Sequence, residues 1–187
     1  MGGRRGYLLR AKALRRTASC INGPDEGAGR LTEAELTDAI SFVVPGPPVP
    51  KGRARSTKSG QHYTPQKTVD AENAIGAWAR QAMNRARQQP MDCPLSLSFL
   101  ACIPIPSSWS AKKRKDALEC GVLPLGRPDV DNFAKALADG MNGIVYKDDA
   151  RIVHMVDCLK IYSDNPRLCV RVSPFLLSNS EWTQKIC

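Results

Sequence analysis

Residues 126–151 read GRPDVDNFAKALADGMNGIVYKDDAR, and they combine a predicted helix with five aspartates placed around Lys135. Pro128 favours an extended backbone before it, and Asp131 stands where a helix would begin, since aspartate is a preferred N-cap residue. Apolar residues follow at helical spacing and predict a buried stripe: Phe133, Ala134, Leu137, Ala138 and Met141. Two glycines near position 141 predict the end of this helix.

The same stretch predicts a cluster of carboxylates. Lys135 lies one helical turn after Asp131 and one turn before Asp139, so these three side chains share a face of the helix. Asp129 and Asp131 are two residues apart in the extended segment before the helix, where alternate side chains point the same way. We therefore expect several acidic side chains to meet at the start of the helix.

Two further aspartates follow the helix. Residues 144–146 are β-branched or aromatic and predict a short strand that delivers Asp148 and Asp149. Carboxylates that converge in this way form an oxygen-rich site of the kind that Mg²⁺ binds, with water and substrate phosphate completing the shell. Such an ion activates water and stabilises the charge on a phosphodiester. The alternatives are an N-cap aspartate with an ordinary surface ion pair, and a solvated turn at the aspartate doublet.

The chain as a whole is strongly basic, which contrasts with this acidic cluster. Its 187 residues fit one domain with a real core, and 27 Lys and Arg against 18 Asp and Glu give a net charge of +9. This excess indicates a polyanionic partner, with a simply basic protein as the alternative. Seven scattered cysteines without a C-x-x-C pair indicate reduced thiols. With two histidines, a zinc cluster or a Ser-His-Asp triad is not expected, and no apolar run is long enough to span a bilayer.

The remaining pattern predicts an α+β fold, a single domain with a mixed β-sheet and helices packed on it. Predicted strands cover residues 39–44, 95–102, 152–156, 158–162 and 168–172. The strand at 95–102 is expected to be central, and the last two strands are expected to pair as a hairpin. Predicted helices begin at Thr64, which a proline follows, and at Ser110. The first of them has an apolar stripe in which Trp78 is expected to face the core.

Composition divides the chain into three parts. Residues 1–37 are expected to form a basic, partly mobile N-terminal extension. Residues 38–175 are expected to form the domain, and residues 176–187 a C-terminal tail. The extension is basic and free of acid at its start, which fits a short DNA-binding helix, a transit peptide or a mispredicted translation start.

Two basic segments lie inside the domain. Residues 51–60 contain no acid and are rich in glycine and serine, a composition that suits phosphate contacts from a loop, with a solvated loop as the alternative. Residues 112–115 are four consecutive cations at the start of a predicted helix, where they oppose the positive end of the helix dipole. Bound phosphate is one explanation for that run, and a solvated face is the other.

Several motifs of the domain occur together in one order. They are VPGPPVPKGRAR at 44–55, YTP at 63–65 followed by Lys67 and Thr68, RPDVDNFAK at 127–135, Asp139, NGIVY at 142–146 and the doublet Asp148–Asp149. Together they resemble the RusA family of Holliday junction resolvases, over about residues 40–172. The combination is specific, whereas the Asp-x-Asp pair alone is not.

This resemblance implies a homodimeric, Mg²⁺-dependent endonuclease that cuts branched DNA, a four-way junction, by paired nicks, with Mn²⁺ as a substitute metal. It implies catalytic roles for Asp129, Asp131, Lys135 and Asp149. The three aspartates would be metal ligands, with Asp148 as the alternative to Asp149, and Lys135 would stabilise the transition state. The residues expected to contact phosphates are Lys51, Arg53, Arg55, Lys58, Lys67 and Arg127. The expected location is the cytoplasm, at the nucleoid, in a bacterium, a prophage or a phage-infected cell.

Two other functions are compatible with parts of the sequence. Pro128-Asp129 fits the first half of a restriction-like PD-(D/E)xK nuclease, but the stretch from Asp157 to Lys160 has one residue too many for the second half. A non-catalytic DNA-binding module with a structural acidic cluster is the other alternative.

Overall fold

The computed structural model describes residues 39–53, 55, 56 and 60–176. The strands are β1 (Ile40–Pro45), β2 (Arg55–Ser56), β3 (His62–Tyr63), β4 (Leu95–Pro104), β5 (Ile152–Met155), β6 (Leu159–Ser163) and β7 (Arg167–Pro174). The helices are α1 (Gln66–Ala86), α2 (Ala111–Leu118) and α3 (Val130–Met141), with a 3₁₀ turn at Asp149–Arg151. The predicted N-terminal extension and all but the first residue of the predicted tail lie outside these ranges.

Five strands form one mixed sheet, so the predicted α+β fold is confirmed. β1 pairs antiparallel with β7, and β7 pairs antiparallel with β4. On its other side β4 pairs in parallel with two strands placed end to end, β5 along residues 95–97 and β6 along residues 100–104. The central position predicted for β4 is therefore correct.

One face of the sheet and two helices form the core. Alternate residues of β4, such as Leu95, Leu97 and Phe99, are buried together with inward-facing residues of β1 and β7. Phe133 and Leu137 of α3 are fully buried against them, as the helical spacing predicts, and α1 contributes further side chains to the same cluster. Trp78 of α1, predicted to face the core, is instead 38% exposed.

The sequence prediction is wrong on one strand pairing and on one strand. β6 and β7 do not form a hairpin, because β4 lies between them and pairs with both. Residues 144–146 are not a strand, since the backbone N–H groups of Ile144 and Val145 both donate to the carbonyl of Met141 and form a turn. Two residues of the basic segment predicted as a loop form strand β2, which pairs antiparallel with β3.

Helices α1 and α3 cross with very little space between their backbones. A Cβ atom built on Gly140 of α3 would lie 2.9 Å from the Cβ of Ile75 and 3.0 Å from the carbonyl oxygen of Glu72, both on α1. A Cβ on Gly76 would lie 3.0 Å from the carbonyl oxygen of Gly140. This close crossing brings the N-terminal half of α1 next to the polar face of α3. None of the described helices is both long enough and apolar enough to cross a membrane.

Candidate active site

Helix α3 begins immediately after a loop that presents Asp129. The Arg127–Pro128 peptide bond is cis, and Asp129 has an extended backbone at the N-cap position, so the helix starts at Val130. Asp131, predicted as the N-cap, lies instead in the first turn, because the chain enters the helix two residues earlier than the aspartate preference indicates. A carboxylate in the first turn is stabilised by the positive end of the helix dipole.

Lys160 of β6 holds this loop in place. Its Nζ donates to the carbonyl oxygens of Gly126 and Pro128, each at 2.8 Å. These two carbonyls belong to the segment that leads directly into Asp129, so Lys160 fixes the backbone from which that carboxylate projects. The sequence pattern gave no sign of this role, since Lys160 lies in a strand 31 positions after Asp129 and only the sheet brings them together.

Lys135 lies between two carboxylates. Its Nζ is 3.0 Å from Oδ1 of Asp139, one turn further along α3, and 3.4 Å from Oδ2 of Asp149 in the 3₁₀ turn. The predicted pairing of Lys135 with Asp139 is confirmed, whereas Asp131 makes no ion pair with Lys135 within the described ranges. The side chain of Lys135 is 57% exposed, so its ammonium group faces solvent between the helix and the turn.

A second lysine, Lys51, shares the carboxylate partner of Lys135. Nζ of Lys51 is 2.7 Å from Oδ2 of Asp139 and 2.5 Å from Oε1 of Glu72. Its backbone N–H also donates to the carbonyl of Asn132 at 2.9 Å, so the segment after β1 is attached to both α1 and α3. Lys51, predicted to contact phosphates, therefore has two carboxylate partners in this structure, and Glu72 joins the network without having been predicted.

The ionisation of this network follows from its contacts. The hydrogen bond that Lys135 donates to Asp139 is the main cause that raises the pKa of Lys135, and Asp149 adds to it. Burial acts to lower the pKa of Lys51, but Asp139 and Glu72 outweigh it, so the pKa of Lys51 is also raised. Burial acts to raise the pKa of Asp139, and the two ammonium groups more than offset it, so that pKa is lowered. At neutral pH both lysines are cations and Asp139 is an anion.

Asp148 and Asp149 lie in a turn whose two flanking residues, Lys147 and Arg151, both form ion pairs with Asp92. Asp92 accepts from Nζ of Lys147 at 2.6 Å and pairs with the guanidinium of Arg151 at 2.7 Å, and these two cations flank the doublet. Asp148 caps the 3₁₀ turn by accepting from the N–H of Ala150 at 2.9 Å, whereas Asp149 faces Lys135. The two neighbouring aspartates thus have different surroundings.

The hydroxyl of Tyr146 connects this turn to α3. It donates to the carbonyl oxygen of Ala138 at 2.8 Å, and the side chain is fully buried. Burial raises the pKa of Tyr146, and the charges of Asp149 and Asp139 add to that effect, so the phenol stays neutral. A neutral, buried donor to a helix carbonyl sets the distance between α3 and the turn that contains Asp149.

Mg²⁺ requires oxygen ligands, and the predicted metal ligands are all aspartates. Among residues 39–53, 55, 56 and 60–176, no three acidic, histidine or cysteine side chains are grouped so that they could hold a metal ion by themselves. The donor chemistry still fits, because Mg²⁺ keeps several waters and binds proteins through one or two carboxylates plus substrate phosphate. Asp129 and Asp131 are two exposed carboxylates with no hydrogen-bond or ion-pair partner in the described part of the chain. The three-aspartate set, with Asp149, stays a prediction.

The other predicted phosphate contacts are spread over the surface. Arg53, Lys67 and Arg127 are exposed, and Arg127 lies in the loop next to Asp129. Arg55 belongs to β2. Lys58 lies outside the described residues.

The residues described above fall within the match to a known protein family. A model described as endodeoxyribonuclease RusA matches residues 45–173. The chain belongs to the RusA family of endodeoxyribonucleases. The match lies inside the predicted domain of residues 38–175 and includes every acidic residue of the site. The chain is also similar to an uncharacterized protein, YqaN, of Bacillus subtilis (strain 168), with 34% identity over 140 residues, which is 72% of this chain and 96% of that protein.

Membership of the RusA family defines the activity in outline. The protein is an endonuclease, and the family consists of metal-dependent nucleases that act on junction DNA. The assignment of the acidic start of α3, Lys135 and Asp149 to this activity stays a prediction from the sequence.

Proposed function

We propose that this chain is a Mg²⁺-dependent resolvase that acts as a homodimer and cuts four-way DNA junctions by paired nicks. One observation carries the proposal: Asp129 and Asp131, two exposed carboxylates without a partner among the described residues, lie at the start of α3 on a chain of net charge +9, one turn from an exposed ammonium group. A negative site of this kind on a basic protein suits a divalent ion placed against a polyanion. Bacterial or phage DNA in the cytoplasm is the expected substrate.

Asp129 and Asp131 would hold the ion, with Asp149 as the third ligand. Bound Mg²⁺ would supply an activated water and neutralise charge on the phosphate. The assignment of Asp149 over Asp148 is supported by their contacts, since one oxygen of Asp148 accepts from Ala150 N–H while Asp149 faces Lys135.

Lys135 is expected to donate to a non-bridging oxygen of the scissile phosphate, where negative charge develops. Its raised pKa keeps it protonated over the range in which the nuclease would act. Asp139 holds Lys135 and is itself held by Lys51, so both are positioning residues. Arg127 and Arg53 are exposed and are expected to contact neighbouring phosphates.

The test is cleavage of a synthetic four-way junction, with and without Mg²⁺, by the wild type and Asp131→Asn. An amide is a poor Mg²⁺ ligand, so the variant should bind the junction as the wild type does and cleave it at least about a hundredfold more slowly. Asp164→Asn is the matched control, because Asp164 is an exposed aspartate in the turn between β6 and β7 and loses the same charge.

Near-normal cleavage by Asp131→Asn would show that the site is assigned wrongly. A linear duplex of the same sequence separates the alternatives: equal cleavage of both substrates favours a restriction-like nuclease. Junction binding without cleavage and without Mg²⁺ uptake in a calorimetric titration favours a non-catalytic DNA-binding module.

A further inference from the structure

Helix α2 carries a group of four cations that the proposed active site does not use; three of them are exposed and Arg114 is half-buried. The α2 cationic patch consists of Lys112, Lys113, Arg114 and Lys115, and none of these has a carboxylate partner within the described ranges. A shallow groove beside the patch is lined by Ser110, Lys112, Lys113, Lys115, Asp116 and Glu119. Oδ1 of Asp116 occupies the space that a Cβ on Gly121 would need, so that carboxylate is turned towards the C-terminal end of the helix.

The patch opposes the electrostatics of its own helix. Ser110 caps α2 by accepting from the N–H of Lys113 at 3.4 Å, and the first turn contains no acidic residue. Lys112, Lys113 and Arg114 lie in the first turn, where the positive end of the helix dipole repels cations, whereas Lys115 belongs to the last turn of this short helix. A bound anion would relieve this repulsion and satisfy the cations together.

An aromatic pair supports the patch from the sheet. Nζ of Lys113 lies 3.9 Å from the centroid of the Trp109 ring, a cation–π contact. The Trp109 ring in turn meets the ring of Tyr162 edge to face, with centroids 4.9 Å apart. Tyr162 belongs to β6, so the start of α2 is attached to the edge of the sheet through two rings.

The same strand also supports the loop of the active site. Lys160 and Tyr162 are two residues apart on β6 and therefore project to the same side, about 7 Å apart. Lys160 binds the carbonyls of Gly126 and Pro128 immediately before Asp129, and Tyr162 supports Trp109 under the patch. The α2 cationic patch and the loop that presents the first carboxylate are thus both supported by side chains on the same side of β6.

We propose that the α2 cationic patch binds the phosphate backbone of the DNA arm that leaves the active site past Asp129. Charge complementarity and this position support DNA as the occupant. The proposal rests on the proposed function for the place of the scissile phosphate, whereas binding of DNA by the patch is measured separately from cleavage.

The test compares two double variants with equal loss of charge. Lys112→Gln/Lys115→Gln removes two cations of the patch and leaves the contact between Lys113 and Trp109 in place. Arg80→Gln/Arg85→Gln removes two exposed cations from α1. Binding to a fluorescent four-way junction in EDTA is measured by anisotropy at several salt concentrations, and cleavage is measured separately with Mg²⁺.

The α2 variant should bind about tenfold or more weakly, and its slope of log affinity against log salt should fall by about two, as expected for two lost phosphate contacts. The α1 variant should keep the wild-type slope. The melting temperature of the α2 variant should stay close to that of the wild type, because Lys112 opposes the helix dipole whereas Lys115 lies in the last turn, where a cation is favoured.

An unchanged slope for the α2 variant, or an equal fall in both variants, would overturn the proposal. Absence of DNA binding by the wild type would overturn it as well. The wild type could bind the junction without cleaving it while the salt dependence of binding falls only in the α2 variant. That result would support DNA binding by the patch and contradict the proposed resolvase activity.

Discussion

Asp139 is the residue on which both lysines of the site depend. Its two oxygens bind different ammonium groups, Oδ1 that of Lys135 and Oδ2 that of Lys51. Removal of this carboxylate would leave two neighbouring cations without their shared counter-charge, which is why the effect should depend on pH.

Asp139→Asn should lower the free energy of unfolding by about 1 kcal/mol near neutral pH. The pKa of Asp139 is lowered in the folded state, so its contribution is complete above the ordinary aspartate pKa of about 3.9 and is lost as the pH falls through the lowered value. The pKa values of Lys51 and Lys135 are raised, so their contribution is complete below about pH 10.4 and is lost as the pH rises beyond it.

Urea unfolding of the wild type and Asp139→Asn across the pH range checks this. The difference between the two proteins should be constant between about pH 5 and 9 and should shrink at both extremes. A difference that persists unchanged below pH 3 would mean that the ion pairs do not stabilise the fold.

Lys160→Met should reduce the rate of junction cleavage about tenfold to a hundredfold with little change in KM. The variant keeps the apolar stem but loses both hydrogen bonds to the loop before Asp129, and small displacements of catalytic groups have costs of that size. Steady-state kinetics on the junction provides the measurement.

Lys160→Arg keeps a cationic donor and should recover part of the rate, which a purely structural role would not require. Unfolding curves serve as the control, because the rate must fall in protein that is fully folded. A wild-type kcat in Lys160→Met would mean that Lys160 does not position Asp129 for catalysis.

At the scale of elements, periodicity predicted what depends on local spacing. The buried stripe of α3, the central β4 and the Ser110 cap of α2 follow from residues that are close in sequence. Strand partners that depend on the tertiary fold could not be predicted from local spacing. β6 and β7 are separated by a short turn, which favours a hairpin, but β4 lies between them. Residues 144–146 have strand composition, yet they form a turn buried under Met91, whose N–H donates to Val145 O at 2.9 Å.

In the site, too, contacts within one helix could be predicted from the sequence, and contacts between elements could not. Lys135 and Asp139 are four residues apart on one helix, so sequence spacing predicts their contact. Lys51, Glu72 and Lys160 come from three other elements, and only packing of α1 and β6 around α3 brings them to the site. Sequence reasoning has no signal for such contacts when each residue is an ordinary lysine or glutamate in its own segment.

Gly140→Ala tests the close crossing of α1 and α3. Alanine in a helix interior is normally about 1 kcal/mol better than glycine. Here its Cβ would lie 2.9 Å from Ile75 Cβ and 3.0 Å from Glu72 O, so we expect destabilisation of about 1–3 kcal/mol through overpacking. Chemical denaturation measures the change.

Gly126→Ala is the control, because a Cβ there meets nothing within 4 Å and should have little effect on stability. Gly76→Ala should be intermediate, since one of its two contacts is the flexible tip of Ile144. Stabilisation by Gly140→Ala would show that the helices separate at no cost.

At the scale of the whole molecule, the proposed paired nicks in a four-way junction would require two active sites, which a two-fold symmetric pair of chains would provide. We therefore expect a homodimer in solution. Light scattering after gel filtration should give a mass twice the 20.4 kDa of one chain. A single-chain mass at concentrations where junctions are cut in pairs would contradict this.

Strand β4 sets the spacing between the two acidic segments. Its first residues pair with β5, which begins three positions after Asp149, and its second half pairs with β6, which carries Lys160. One extra residue inserted between positions 97 and 100 would shift one half by about 3.3 Å and turn its side chains to the opposite face. The active site should therefore tolerate substitutions on the outer face of β4 far better than any change in the number of its residues.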